Sequence, residues 1–178
     1  MESRWTGVYV GAHIGHGWLD TYDDLVGAKE NTESFLGGGF AGYSYQSGNL
    51  VLGAEVDFSL SAFERQRILN VEVGLVTDYL SSARARVGGA FGDFHLYATG
   101  GLFVGHVRLE SSITNIISDT HQFGYIYGAG AEYALNPDWT VGVEAVRHEL
   151  FADDYVLATT FEATGNIDVV RARFSYQF

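Results

Sequence analysis

Cysteine is absent from this chain, and lysine, proline and methionine occur once each among 178 residues. Without cysteine there is no disulfide framework, thiol nucleophile or thiolate metal site. Basic residues are few: ten Lys and Arg stand against 22 Asp and Glu, a net charge of −12. That balance excludes nucleic acid as a partner, because phosphate binding needs a basic stripe. No stretch approaches the roughly 18 consecutive apolar residues of a transmembrane helix. A helical membrane protein is thereby excluded, whereas a barrel is not, because barrel strands are short and only half apolar. The N-terminal Met-Glu-Ser-Arg-Trp has neither the basic nor the apolar region of a signal peptide, so for an exported protein Met1 is expected to be an added start ahead of the mature sequence.

Glycine and aromatic residues take the place of what is missing. The 23 glycines and 15% aromatic content, with few helix formers, point to an all-β chain. Its length suits one domain, residues 1–178, with a core or a small closed barrel.

The last stretch sets the pattern. Phe178, Tyr176, Phe174, Ala172 and Val170 form one face and Gln177, Ser175, Arg173 and Arg171 the other, the two-residue period of a strand. Seven earlier stretches alternate in the same way, beginning near Trp5, Phe35, Leu50, Tyr79, Phe94, Gly124 and Trp139. Gln46-Ser47-Gly48-Asn49, Gly92-Asp93 and Asn136-Pro137-Asp138 read as tight turns. Connections of roughly eleven to sixteen residues, Asp20–Glu33, Ala62–Thr77, Glu110–Thr120 and Glu149–Thr164, alternate with them. Eight antiparallel up-and-down strands, with short turns at one end and long connections at the other, are the plan of a transmembrane β-barrel with short periplasmic turns and long extracellular loops.

The faces carry the next step. Opposite the apolar residues lie Glu55, Asp57, Arg84, Arg86, Glu132, Glu144, Arg171 and Arg173. In a lipocalin-like barrel with apolar residues inside, these would be solvated surface charges. They balance four to four, however, and sit at similar heights: Glu55 is five residues after Leu50, Arg86 five before Phe91, Glu144 five after Trp139 and Arg173 five before Phe178. Acid therefore meets base in two mid-height clusters, a requirement of a narrow low-dielectric lumen and not of a surface. Trp5, Trp139, Tyr43, Tyr45 and Tyr133, near the short-turn end, fit an interfacial aromatic girdle. Eight strands enclose only side chains, so a wide pore is not expected.

Trp-Thr-Gly-Val-Tyr-Val-Gly at 5–11, Ser-Ala-Arg-Ala-Arg-Val-Gly at 82–88, Tyr-Ala-Thr-Gly-Gly-Leu at 97–102, Gly-Ala-Gly-Ala-Glu-Tyr-Ala-Leu at 128–135 and the Phe-ending last strand resemble the alphaproteobacterial small outer-membrane β-barrel family. Its members are major surface antigens and porin-family proteins, related in architecture to the OmpA transmembrane domain. The resemblance covers nearly the whole chain. It implies an eight-stranded barrel made with a cleavable signal peptide and inserted in the bacterial outer membrane by the barrel-assembly machinery, which reads the C-terminal aromatics Phe178, Tyr176 and Phe174. It also implies roles in envelope integrity, surface antigenicity and contact with a host surface ligand, as a monomer among outer-membrane lipid and lipopolysaccharide. Some members bind haemin, so a small-solute porin or haemin receptor is the alternative. The scarcity of lysine departs from the family and makes direct contact with lipopolysaccharide phosphates depend on bridging cations.

Catalysis finds no support in the pattern. The Glu and Arg groups neutralise one another, and Ser, His and Asp show no defined spacing. His13 and His16, three apart on a strand, face opposite sides, while His106, His121 and His148 lie toward the long connections. Asp20, Asp23, Asp24, Glu30 and Glu33, and Glu149, Asp153, Asp154 and Glu162, lack EF-hand spacing and read as solvated loops. Gly37-Gly38-Gly39 lies within a strand, with no Lys-Ser/Thr after it, and is not a phosphate loop. No cofactor, metal or catalytic residue is expected.

Overall fold

The computed structural model describes residues 4–22, 29–62, 67–68, 71–111, 117–150 and 166–178. Its strands are β1 (Gly7–Tyr22), β2 (Lys29–Ser47), β3 (Leu50–Ala62), the two-residue β4 (Arg67–Ile68), β5 (Val71–Phe91), β6 (Phe94–Ser111), β7 (Ile117–Ala134), β8 (Trp139–Leu150) and β9 (Asn166–Gln177). Each long strand pairs antiparallel with its chain neighbours, β1 pairs with β9, and β3 pairs directly with β5. The eight long strands thus close into a barrel, and β4 only extends the β5 ladder.

Register defines its shape. From Tyr9, the partners Gly42, Glu55, Arg84, Gly101, Ile126, His148 and Ile167 lead round the barrel to Leu19, ten residues further along β1 (19 − 9 = 10). A stagger of this kind tilts the strands by about 40° to the barrel axis. The apolar outward positions of β1 run from Val8 to Trp18, ~25 Å of height at about 3.3 Å per residue and about 40° tilt. That matches the apolar band of an outer-membrane barrel.

Strands reach further than the sequence suggests. The expected connections at Asp20–Glu33, Ala62–Thr77 and Glu110–Thr120 are shorter, because β1 continues to Tyr22, β2 begins at Lys29, β5 begins at Val71, β6 ends at Ser111 and β7 begins at Ile117. Side-chain polarity does not oppose a backbone ladder where both faces of the hairpin can meet water, so composition alone misplaces these boundaries. The β5–β6 register shifts between Thr77 and Tyr79, where the expected fourth strand begins; an irregularity of this kind resets the phase of the pattern, so the alternation of Val71, Val73 and Leu75 does not run on into it.

The two faces are unlike. Val56, Leu60, Phe91, Leu102 and Val143 point outward and are between 57% and 60% exposed, whereas Glu55, Arg84, Glu144 and Arg173 are at most 3% exposed. A lipocalin-like interior is overturned by this inversion, and the apolar band is far larger than a soluble monomer presents to water.

Inward aromatics need room in so narrow a lumen. Tyr9 faces Gly42 across the β1–β2 ladder while Phe40 faces Gly11, and Tyr97 faces Gly130 across β6–β7. In each pair the ring lies over the glycine where a Cβ would collide with it, so the missing side chain on one strand seats the large one on its neighbour.

Candidate functional site

Three layers stack in the lumen among the described side chains. At the short-turn end Trp5, Val51, Ala90 and Ala134 form an apolar floor. Trp5 is held in place by its backbone N–H donating to Gln46 Oε1 at 3.1 Å and by Ser44 Oγ donating to its backbone carbonyl at 2.6 Å. Arg4 pairs with Asp93 beneath it. Toward the other end Leu80, Phe103, Ile126, Val146 and Val169 form an apolar roof, with Leu36 and Ile167 packed against them.

Charge occupies the space between. Glu55, from β3, accepts from Arg84 of the neighbouring β5, from Arg86 Nη1 at 3.2 Å and from Arg173 Nη2 at 2.5 Å. Glu144, from β8, accepts from Arg84 Nη1 at 3.0 Å, Arg171 Nε at 2.6 Å and Arg173 Nη1 at 3.2 Å. Glu132 accepts from Arg86 Nη2 at 2.6 Å, and Asp57 from Arg171 Nη1 at 3.1 Å. Arg84 and Arg173 each bridge Glu55 and Glu144, so the two clusters expected from sequence are one network. Neighbouring strands set the expectation; in an eight-stranded barrel, guanidinium groups reach across the lumen as well as along the wall.

Neutral groups complete it. Tyr9 Oη accepts from Arg86 Nη1 and donates to Glu55 Oε2, each at 3.0 Å, and Tyr97 Oη donates to Glu144 Oε1 at 2.9 Å. His13 Nε2 lies 2.9 Å from Asp57 Oδ2, to whose other oxygen Ser59 Oγ donates at 3.0 Å. His95 Nδ1 lies 3.2 Å from Glu132 Oε2. The Arg86 guanidinium sits 3.7 Å over the Tyr97 ring and that of Arg173 3.9 Å over Phe40, contacts that favour cations in a desolvated setting. Ser59, His13 and Asp57 do not make a catalytic relay: serine and aspartate both address Nε2, and no carboxylate holds Nδ1 to orient the ring.

A charged belt sealed between two apolar layers, inside a wall that is apolar on its outer side, is built for a bilayer. Residues 2–178 match the family model of the outer membrane protein beta-barrel domain. The chain belongs to this family of bacterial outer-membrane β-barrel proteins. It is 32% identical to a 31 kDa outer-membrane immunogenic protein of Brucella melitensis, over 98% of this chain and 84% of that protein. It is 34% identical to a 22 kDa outer membrane protein of Rhizobium leguminosarum bv. viciae, over 86% and 68%. In shape it resembles the Neisserial surface protein A, with a TM-score of 0.62 at 15% identity over 97% of this chain and 98% of the other. The Ail attachment invasion locus protein of Yersinia pestis gives 0.60 at 13% identity over 97% and 99%. These two likenesses show the fold.

Within this outer-membrane barrel the remaining sequence-selected residues separate. Tyr43, Tyr45, Tyr133 and Trp139 face outward at the short-turn end, 51%, 55%, 38% and 38% exposed. Trp5 does not join them. At 4% exposure it is inside the lumen with its ring centroid 5.0 Å from that of His95, because it shares the odd-numbered parity of Tyr9 and His13, which also point inward. The C-terminal aromatics lie on the outer wall: Phe174 stacks on Trp139 at 4.7 Å, Tyr176 meets Trp139 edge-on at 4.9 Å, and Phe178 meets Tyr176 at 5.0 Å.

The histidines scatter. His13 is inside and His16 lies against the rings of Trp18 and Phe35. His148 is buried against Phe103, while His106 and His121 are register partners on β6 and β7. Among the described residues no group of three His, Cys, Asp or Glu side chains is placed to hold a metal ion. Of the acidic stretches, Asp20, Glu30 and Glu33 lie on the β1 and β2 ladder, Glu149 accepts from Tyr127 Oη at 2.6 Å, and Asp23, Asp24, Asp153, Asp154 and Glu162 lie outside the described residues. Sequence reasoning missed Tyr9, Tyr97, His95 and Ser59 as members of the network. Glycine directly across the ladder from Tyr9 and Tyr97 was the available signal.

Proposed function

We propose that this outer-membrane protein is a non-catalytic structural and surface-interaction component of the envelope, whose barrel is an anchor and whose contacts are made by the segments joining strands at the end away from the short turns. The observation that carries this reading is the lumen itself. Among the described side chains, floor, ion-pair belt and roof stack through the membrane-spanning part of the lumen, and the carboxylates that would have to act as acids or bases are engaged by arginine. A stack of this kind favours an anchor over a conduit. The Brucella relative's designation as immunogenic supports exposure to a host. The acidic connecting segments, including Asp23, Asp24, Asp153 and Asp154, would meet lipopolysaccharide through divalent cations, while the outward aromatics of β9 would be the element read by the assembly machinery.

The test combines genetics with electrophysiology. A strain lacking the protein should become sensitive to detergents, and a barrel with residues 23–28 and 151–165 replaced by short Gly-Ser links should restore resistance while losing adhesion to host cells. The refolded wild-type barrel should show no discrete conductance in planar bilayers. Stepwise single-channel currents, or full adhesion by the trimmed barrel, would overturn the reading.

A further inference from the structure

Between the apolar floor and the charged belt lies a cavity of about 20 Å³, whose lining includes Trp5, Tyr9, Arg86, His95, Glu132 and Thr140. A single water-sized occupant fits, since about 10–15 Å³ is enough for one. Three of these residues carry polar atoms that no protein group meets: Trp5 Nε1, Arg86 Nε and His95 Nε2. Their residues are 4%, 6% and 3% exposed, so bulk solvent does not satisfy them either. Indole and guanidinium nitrogens only donate. Histidine has a choice, and Glu132 makes it: the carboxylate oxygen 3.2 Å from Nδ1 only accepts, so Nδ1 carries the hydrogen and Nε2 of the neutral ring is an acceptor. Two donors and one acceptor suit one water molecule.

We propose that this cavity is a halide site, in which a small monovalent anion replaces that water when His95 takes up a proton. A proton on Nε2 turns it into a donor, and all three nitrogens then offer N–H groups to the occupant. An anion completes such a set, whereas a water's own hydrogens would lack an acceptor. Charge points the same way. In the belt Glu55, Asp57, Glu132 and Glu144 balance Arg84, Arg86, Arg171 and Arg173, so an imidazolium in this low-dielectric space is an unmatched cation and a halide beside it restores neutrality. Without the proton, the anion would face Glu132 with only an already paired Arg86 to hold it. The charged and titratable groups around the ring are Glu132 of β7, Arg86 of β5, Tyr97 of β6 and Tyr9 of β1, with Arg173 of β9 behind Glu132 at 3.6 Å. The cavity lining from β2, β3, β8 and β9 has no ionisable side chain.

Bromide quenching of Trp5 fluorescence tests the site in a refolded barrel carrying Trp18→Phe and Trp139→Phe. At about pH 5 bromide is expected to quench Trp5 saturably, and its affinity to fall about tenfold per pH unit once the free site has lost its proton. His95→Gln should abolish saturable quenching, and His16→Gln, on the outer wall, should leave it unchanged. Folding of each variant is checked by its heat-dependent mobility on SDS gels. Should His95→Gln not fold, proton uptake by the unsubstituted barrel decides: bromide added to a weakly buffered sample should draw about one proton per barrel from solution, whereas sulfate, too large for the cavity, should draw none. Quenching that rises without saturation, saturable quenching that is independent of pH, or bromide binding without proton uptake overturns the proposal.

Discussion

Arg173 and Glu55 meet across the lumen, Nη2 to Oε2 at 2.5 Å, although their strands β9 and β3 are separated in the sheet by β1 and β2. Each has further partners in the same network: Arg173 reaches Glu144, and Glu55 takes Arg84 and Arg86. Removing one cation therefore leaves carboxylates short of partners in a space closed to water. Arg173→Met and Arg86→Met should each destabilise the refolded barrel by about 3–5 kcal/mol, measured by urea unfolding in lipid vesicles. Asp23→Asn, at a position assigned no partner by the sequence, should fall within about 0.5 kcal/mol of wild type. Equal, negligible effects at all three positions would remove the interior network as a stabilising element.

Glycine substitutions should sort by what lies opposite. A Cβ at Gly130 would collide with the Tyr97 ring, whereas at Gly100 the nearest atom is Ile126 O at 3.9 Å. Gly130→Ala should cost about 1–3 kcal/mol by overpacking. Gly100→Ala should be neutral or stabilising by up to about 1 kcal/mol, since a strand glycine gives up more backbone freedom on folding. The same unfolding assay reads both signs.

Trp5 and Trp139 should report opposite surroundings. In barrels retaining one tryptophan at a time, lipids brominated on the acyl chain should quench Trp139, on the outer wall, and leave Trp5 largely unquenched inside the lumen. Trp5→Ala should cost about 3–5 kcal/mol as a large buried ring lost from the floor. Strong quenching of Trp5 by brominated chains would place it back on the exterior.

Phe178 is 73% exposed and touches Tyr176 on the outer wall. Deleting it should leave the stability of the refolded barrel within about 1 kcal/mol of wild type while lowering insertion by a reconstituted assembly machinery at least severalfold. A parallel loss of stability and insertion would make Phe178 a packing residue only.

Much of the wall was legible because a strand has one simple period. Val56 and Glu55, or Ala85 and Arg86, declare opposite faces by alternation alone, and the resemblance in the glycine- and aromatic-rich segments covered the same strands. Three features were less legible. The far end of β2 escaped notice because its residues are polar on both faces, and that of β5, where Val71, Val73 and Leu75 alternate with Glu72 and Gly74, because the register shift between Thr77 and Tyr79 breaks its phase. Trp5 was assigned to the girdle by its level along the barrel, although its parity with Tyr9 pointed inward. Arg84 and Arg173 were given neighbours along the wall, because residue spacing reports height and says nothing of how far a guanidinium reaches across a narrow lumen.

The most direct measurement of a closed barrel with lipid outside and charge inside is its mobility on an SDS gel, loaded with and without boiling after refolding in detergent. The intact barrel should resist cold SDS and migrate apart from the heated sample. Identical migration of the two samples, together with a monomer that folds in the absence of detergent, would contradict the assignment of the faces.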